Sequence, residues 1–316
     1  MFQAIGWCLL ALLLLALGGD SILKGASGLS RRLGLSSFAT GLLLVAFGTS
    51  IPELAVNARA LFVGSQSLAL GNAVGSNIVN FGLTLGLAAL AAPLVVRWRA
   101  LAPLLVCLIV ATIALIALGY DGVLTRVEGG LFVVAFAVVV AIGLAFERRE
   151  SPELHATLSG YLSTDTGLGR NLLRFALGGV FLWFGAKLLV QHAPVVGLGW
   201  GLTPLMTGLI VVAIATALPE AVAAVSAARR GQGDIVVGHV VGSSVFNLLI
   251  VVGGMAVVRD LPIPASFVRF ELPAALAAAL LLYPMLRKDL KISRAEGGVL
   301  LVAFVAWVAF ELLWSR

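Results

Sequence analysis

Two carboxylates stand in the middle of apolar segments, and each directly follows a proline. Glu53 follows Pro52 in LLLVAFGTSIPELAV, and Glu220 follows Pro219 in LIVVAIATALPEAVAAV. An ionised carboxylate at the centre of a membrane helix costs about 2.5–3.5 kcal/mol. Proline lacks an N–H and crowds the carbonyl four residues back, so each helix is predicted to kink or unwind and to free main-chain oxygens. The two motifs therefore indicate a buried site for a cation.

Further oxygen-bearing side chains occur close to these motifs. They are the hydroxyls of Thr49, Ser50, Ser76, Thr216 and Ser243 and the amides of Asn80 and Asn247. Calcium takes about 6–8 oxygen ligands, and two carboxylates with the freed carbonyls of Thr49 and Thr216 supply about six. The set holds no His or Cys, which argues against zinc or copper. Magnesium and manganese also take oxygen ligands and stay open.

The composition is that of a chain in lipid. Of 316 residues, 60% are hydrophobic and 11% charged, and the mean hydropathy is +1.09. Soluble domains average about 45–50% apolar and about 25% charged residues. We therefore expect an all-α integral membrane protein with small cations and membrane lipid as partners, no cofactor, no nucleic acid and no obligate protein partner. The net charge of +6 is attributed to basic cytoplasmic loops.

Hydropathy and helix breakers predict about ten transmembrane helices. They lie near residues 3–19, 37–62, 68–92, 101–119, 129–146, 172–191, 203–228, 234–257, 268–286 and 295–313. The predicted organisation is an N-terminal repeat (1–146), a cytoplasmic loop (147–171) and a C-terminal repeat (172–316), with five helices in each repeat.

The basic residues predict the orientation. Alternate loops carry 15 of the 21 Lys and Arg residues, and such loops face the cytoplasm. The prediction is a multi-pass protein of the cell membrane, in particular a bacterial inner membrane, with both termini on the periplasmic or extracellular side.

An internal repeat is visible at a shift of 167 residues. It aligns residues 40–80 with 207–247, including Pro52-Glu53 with Pro219-Glu220 and Gly75-Ser76 with Gly242-Ser243. Five predicted spans separate the copies, and an odd number of crossings inverts the second copy. Inverted repeats whose helices are interrupted by Gly and Pro at matching places are typical of the central site of secondary transporters.

The motifs resemble those of a known family. GTSIPELAVNA with GNAVGSNIVN, and ATALPEAVAAV with DIVVGHVVGSSVFN, are similar to the two alpha-repeats of the calcium/cation antiporter superfamily, sodium/calcium exchanger type. The resemblance implies ten helices in two inverted halves and exchange of calcium for sodium by alternating access. It implies a membrane transporter and not an enzyme, and the HExxH and GxSxG signatures are absent from the sequence.

The resemblance also implies individual roles. Glu53 and Glu220 coordinate calcium together with the main chain of Thr49 and Thr216. The flanking sodium sites use Ser50, Ser76 and Ser243 with the carbonyls of Ala46 and Ala213, and Asn80 lines the centre.

Three positions depart from the family pattern. Ala217 replaces a common serine, Asn247 stands where some exchangers carry aspartate, and His239 replaces the asparagine that matches Asn72. Because two carboxylates are neutralised by one calcium or by two protons, calcium/proton antiport is the alternative function. A cation channel is a less favoured alternative function. We interpret His239 as a hydrogen-bonded interior histidine.

Overall fold

The computed structural model describes residues 1–32, 48–96, 98–146 and 167–314. The predicted loop 147–171 and the approach to the first Pro-Glu motif therefore lie largely outside the described residues. The helices are α1 (Phe2–Arg32), α2 (Ile51–Phe62), α3 (Gln66–Ala91), α4 (Trp98–Leu118), α5 (Arg126–Phe146), α6 (Leu168–Gly199), α7 (Pro204–Arg229), α8 (Gly233–Val258), α9 (Leu272–Asp289) and α10 (Arg294–Trp314). The all-α membrane fold predicted from composition is confirmed.

Eight helices within the described ranges are long and apolar enough to cross a membrane. The helices α2 and α5 are not among these eight. The residues before α2, 33–47, lie outside the part of the chain that the structure describes. The count of ten spans stays a prediction.

The two halves share their helical irregularities. A π-helical stretch covers Asn80–Leu85 within α3, and a second one covers Asn247–Val252 within α8. Gly64 lies in the turn between α2 and α3, and Gly231 lies in the equivalent turn between α7 and α8. Both have a positive φ, at 81° and 76°. All of these features recur at the shift of 167 residues, so the sequence repeat is also a structural repeat.

The equivalent helices α1 and α6 run antiparallel. A Cβ atom on Gly18 would lie 3.0 Å from the Gly178 carbonyl, and one on Gly185 would lie 3.0 Å from the Ala11 carbonyl. Residues later in α1 therefore contact residues earlier in α6, as in an antiparallel helix pair. Since α1 and α6 occupy the same place in the two repeats, the predicted inversion is confirmed.

Two short antiparallel strand pairs link the halves. Leu94–Val95 (β1) pairs with Lys291–Ile292 (β4), and Val123–Leu124 (β2) pairs with Leu261–Pro262 (β3). The strands β1 and β3 follow α3 and α8 directly, so each repeat anchors the end of its long π-interrupted helix on the other repeat.

Glycines bring α3 into backbone contact with α7. A Cβ atom on Gly71 would lie 2.2 Å from the Leu205 carbonyl, and one on Gly75 would lie 2.2 Å from the Leu209 carbonyl. Only glycine permits this approach. The contact places the following turn of α3, with Ser76, beside the N-terminal part of α7.

The two prolines act differently. Pro52 lies in the first turn of α2, after a 3₁₀ turn at Gly48–Ser50. Pro219 lies inside a regular α-helical stretch, Ala213–Arg229, so unwinding is not observed there. The missing N–H still leaves the Ala215 carbonyl without its helical donor. The irregular part of α7 is instead a π-helical stretch upstream, Thr207–Val212.

Candidate functional site

The two carboxylates line one cavity of about 430 Å³. Glu53 projects from the first turn of α2, with Thr49 in the 3₁₀ turn before it, and Glu220 follows Thr216 by one turn of α7. Glu53 is 2% exposed, and its carboxylate contacts the Thr216 side chain and lies within electrostatic range of Glu220. The structure thus brings together the acidic and threonine residues named from the sequence.

A belt of hydroxyl and amide groups joins the repeats beside this cavity. Ser50 Oγ and Ser243 Oγ lie 2.5 Å apart, and Asn80 Nδ2 donates to Ser243 Oγ at 3.3 Å. Ser76 is buried at the matching place in the first repeat. The hydroxyl and amide residues predicted for the flanking sites therefore lie between α2, α3 and α8.

Asn77 completes the belt and was not singled out from the sequence. Its Oδ1 accepts from Asn247 Nδ2 at 3.2 Å, and its own Nδ2 is 3.4 Å from the Ser244 carbonyl. Asn77 and Ser244 are equivalent in the repeat and are both buried. Their polar character in a buried apolar helix was the signal that could have identified them.

Several acceptor oxygens at this centre lack a hydrogen-bond partner among the described residues. They are Glu53 Oε2, Glu220 Oε1, Ser76 Oγ, Asn80 Oδ1 and Asn247 Oδ1. A buried acceptor left unpaired costs about 1–3 kcal/mol, and more when it is charged. A desolvated cation satisfies such oxygens without needing a donor hydrogen, so the arrangement can coordinate a cation.

The hydroxyl of Thr216 on α7 forms hydrogen bonds with main-chain carbonyl oxygens. Thr216 Oγ1 donates to the Val212 carbonyl at 3.0 Å and is 3.3 Å from the Ala213 carbonyl. The Ala213 carbonyl therefore lies beside the Thr216 hydroxyl, about two helical turns before Glu220, and its role as a sodium ligand stays a prediction. Ala46, its counterpart, lies outside the described residues.

An imidazole ring also lines the cavity. His239 Nδ1 is 2.9 Å from Thr49 Oγ1, and His239 Nε2 is 3.5 Å from Glu220 Oε2. The interpretation of His239 as a hydrogen-bonded interior histidine is confirmed. His239 lines the same cavity as both carboxylates, a position that the sequence did not predict, and the oxygen-only set of ligands stays a prediction.

The cavity lies along one half of the helices that line it. It extends from the carboxylates along α1 and α7 to Ser27 and Ala227, and the Lys24–Asp20 ion pair, at 2.6 Å, lies on its wall. The two repeats differ at one equivalent pair of positions: Ala223, which lines the cavity, is exposed, whereas its counterpart Val56 is 1% exposed. The cavity therefore extends toward the C-terminal ends of α1 and α7.

Known proteins resemble this chain over its whole length. The profile of the family described as sodium/calcium exchanger protein matches residues 3–145 and 170–313. Inner membrane protein YrbG of Escherichia coli is 30% identical, over 99% of this chain and 98% of YrbG. Sodium/calcium exchanger MaX1 of Methanosarcina acetivorans is 30% identical, over 95% of this chain and 96% of MaX1.

A solved structure has the same fold. The sodium-calcium exchanger NCX_Mj, soaked with 2.5 mM Na+ and 10 mM Sr2+, superposes with a TM-score of 0.69 at 26% identity, covering 98% of each chain. The family match, the two relatives and this structure agree with the repeat and with the architecture described above. The chain belongs to the sodium/calcium exchanger protein family.

Proposed function

We propose that this chain is a secondary antiporter that binds calcium between Glu53 and Glu220 and exchanges it for sodium by alternating access. The observation that carries the proposal is the group of buried acceptor oxygens around two carboxylates, one from each inverted repeat. Carboxylates that share a cavity repel one another unless a positive charge lies between them. A transported cation supplies that charge in the bound state.

Calcium is the preferred transported ion because of the number and type of oxygen atoms available as ligands. The two carboxylates supply up to four, and the main chain at Thr49 and Thr216 supplies two more, which reaches about the six that calcium needs. Family membership and the exchanger MaX1 support the same choice.

Sodium is assigned to the positions beside the carboxylates. The proposed ligands are the hydroxyls of Ser50, Ser76 and Ser243, the carbonyls of Ala46 and Ala213, and the amides of Asn80 and Asn247. Sodium entering these positions competes for shared oxygens and repels calcium, which couples the two fluxes.

The open side of the cavity is assigned to the cytoplasm. The basic residues at this end, Lys24 and Arg229 among them, follow the pattern of cytoplasmic loops. Both termini then lie on the periplasmic side of a bacterial inner membrane. The described conformation is inward-open, and in the outward-open state the equivalent path past Val56 opens instead.

A carrier fits better than a channel. The path on the far side of the carboxylates is closed by buried residues such as Val56 and Val190, at 1% and 5% exposure. A site that opens to one side at a time needs no continuous pore.

Calcium/proton antiport is the second candidate, and two observations favour it. Ala217 offers no hydroxyl to Ser76, whose Oγ has no partner among the described residues. Asn247 brings an amide in place of an acid, and that amide donates to Asn77. Both features reduce the number of strong sodium ligands.

The test is uptake of radioactive calcium into proteoliposomes under separate gradients. Vesicles loaded with sodium and diluted into sodium-free medium should accumulate calcium, whereas vesicles with an outward proton gradient alone should not. The reverse result assigns proton coupling. Equal flux without either gradient would identify a channel and contradict both candidates.

A further inference from the structure

The ring of His239 connects the two repeats inside the cation cavity. It contacts Thr49 of the first repeat through Nδ1 at 2.9 Å and approaches Glu220 of the second repeat through Nε2 at 3.5 Å. The side chain is 10% exposed and lines the cavity together with Glu53. An imidazole nitrogen is therefore held at the surface of the cavity in which the transported ion is proposed to bind.

The repeat shows why His239 turns toward the carboxylates. Its counterpart, Asn72, donates to Asn57 Oδ1 at 3.0 Å on the closed side of the protein. The residue equivalent to Asn57 is Ala224, which has no polar side chain. His239 cannot make the matching bond and points instead to Thr49 and Glu220.

The spacing of the two polar atoms suits joint coordination of one ion. The 3.5 Å between His239 Nε2 and Glu220 Oε2 exceeds the usual N–H···O distance of about 2.7–3.2 Å. Two ligands of one metal ion, with bonds of about 2.0–2.3 Å at angles of about 90–109°, lie roughly 3–3.7 Å apart. The 3.5 Å separation falls in this range, and it is also that of a weak ion-pair contact between the two side chains.

The bond to Thr49 provides the orientation that such a ligand needs. In the tautomer with its proton on Nδ1, His239 donates to Thr49 Oγ1 and keeps the Nε2 lone pair on the side of Glu220. Histidines that bind metals commonly donate their other ring nitrogen in this way.

We propose that His239 is a ligand of the transported ion and that, with Glu53 and Glu220, it extends the substrates to divalent cations that bind nitrogen, such as Mn2+ and Cd2+. This inference rests on the proposed function, because it uses the same carboxylates. Imidazole strengthens binding of transition and borderline metals, whereas calcium prefers oxygen. His239 thus sets the selectivity among divalent cations.

The test compares Cd2+ and Mn2+ with calcium in the parent protein and in His239→Asn, which installs the residue of the first repeat. Competition against radioactive calcium uptake in proteoliposomes at pH 8 is paired with direct cadmium binding to the purified protein in detergent. The matched control is His192→Asn, which removes a histidine that stacks on Trp7, with ring centroids 5.8 Å apart.

The expected result is a loss of about tenfold in Cd2+ affinity in His239→Asn, with the calcium affinity changed less than about twofold. His192→Asn should match the parent in both. Equal changes for Cd2+ and calcium, or no change in either, would overturn the inference. His239→Gln, of similar size and with an oxygen ligand, gives the same comparison if His239→Asn does not fold.

The outcomes separate this inference from the proposed function. Calcium transport by the parent with an unchanged Cd2+ to calcium ratio in His239→Asn overturns the role of His239 alone. Cd2+ binding that depends on His239 in a protein that moves no calcium overturns the calcium antiporter alone.

Discussion

Ser50 Oγ and Ser243 Oγ meet at 2.5 Å across the boundary between the two repeats. The equivalent pair in the inverted arrangement is Ala217 and Ser76, where one hydroxyl is missing. Ser76 Oγ accordingly has no hydrogen-bond partner among the described residues. The proposed cation site is therefore asymmetric: two hydroxyls meet on one side of it, and a single hydroxyl lies on the other.

This asymmetry predicts the effect of restoring the missing hydroxyl. Ala217→Ser should add an oxygen beside Ser76 and lower the sodium concentration needed for half-maximal calcium exchange by about fivefold, the equivalent of ~1 kcal/mol for one added polar contact. Sodium titration of calcium uptake in proteoliposomes measures it. Ala221→Ser, one turn further along α7 at a buried position, should leave the sodium dependence unchanged. If both variants change the sodium dependence equally, the assignment of a sodium position beside Ser76 and residue 217 is contradicted.

The one-sided cavity predicts which positions react with water-soluble thiol reagents. In a background without the two native cysteines, Cys8 and Cys107, Ala223→Cys should be labelled quickly from the cytoplasmic side. Val56→Cys, at the equivalent position of the other repeat, should react at least about tenfold more slowly because it is closed off from water. Mass spectrometry of labelled membranes measures both rates.

Labelling of both cysteines at the same rate would contradict the inward-open assignment. Conditions that favour the outward-open state should reverse the order, since the equivalent helices α2 and α6 line the path on the other side.

The glycine contact between α3 and α7 predicts a loss of stability on substitution. In Gly75→Ala the added methyl group would lie 2.2 Å from the Leu209 carbonyl, so α3 must move away from α7. We expect a destabilisation of about 1–3 kcal/mol, measured as a lower Tm in detergent. Gly179→Ala is the control, because a Cβ atom there meets nothing within 4 Å among the described residues; its Tm should stay level or rise. Equal Tm values for the two variants would show that the close approach does not matter.

The fold class and the repeat could be predicted from the sequence because they depend on composition and on recurring glycine, proline and acidic residues. Hydropathy alone predicts helices in lipid, and the shift that aligns Pro52-Glu53 with Pro219-Glu220 also aligns the two π-helical stretches. The π-helical geometry itself was not predictable, since it depends on how α3 and α8 pack on their neighbours.

Parts of the centre depend on contacts between distant residues and therefore escaped prediction. Asn77 becomes important only because inversion brings Asn247 within 3.2 Å of it. His239 faces the carboxylates because residue 224 is alanine, which no local pattern around His239 reveals. The roles of Glu53 and Glu220 as ligands stay a prediction.

The central claim is that Glu53 and Glu220 hold the transported cation together. The most direct test is calcium uptake by Glu53→Gln and Glu220→Gln in proteoliposomes, beside Glu271→Gln, which neutralises a buried carboxylate on the stretch leading into α9. Loss of one charge from a buried site costs about 3–5 kcal/mol, so we expect at least about a hundredfold loss of uptake in both site variants and near-parental uptake in Glu271→Gln. Parental transport by either site variant would contradict the account.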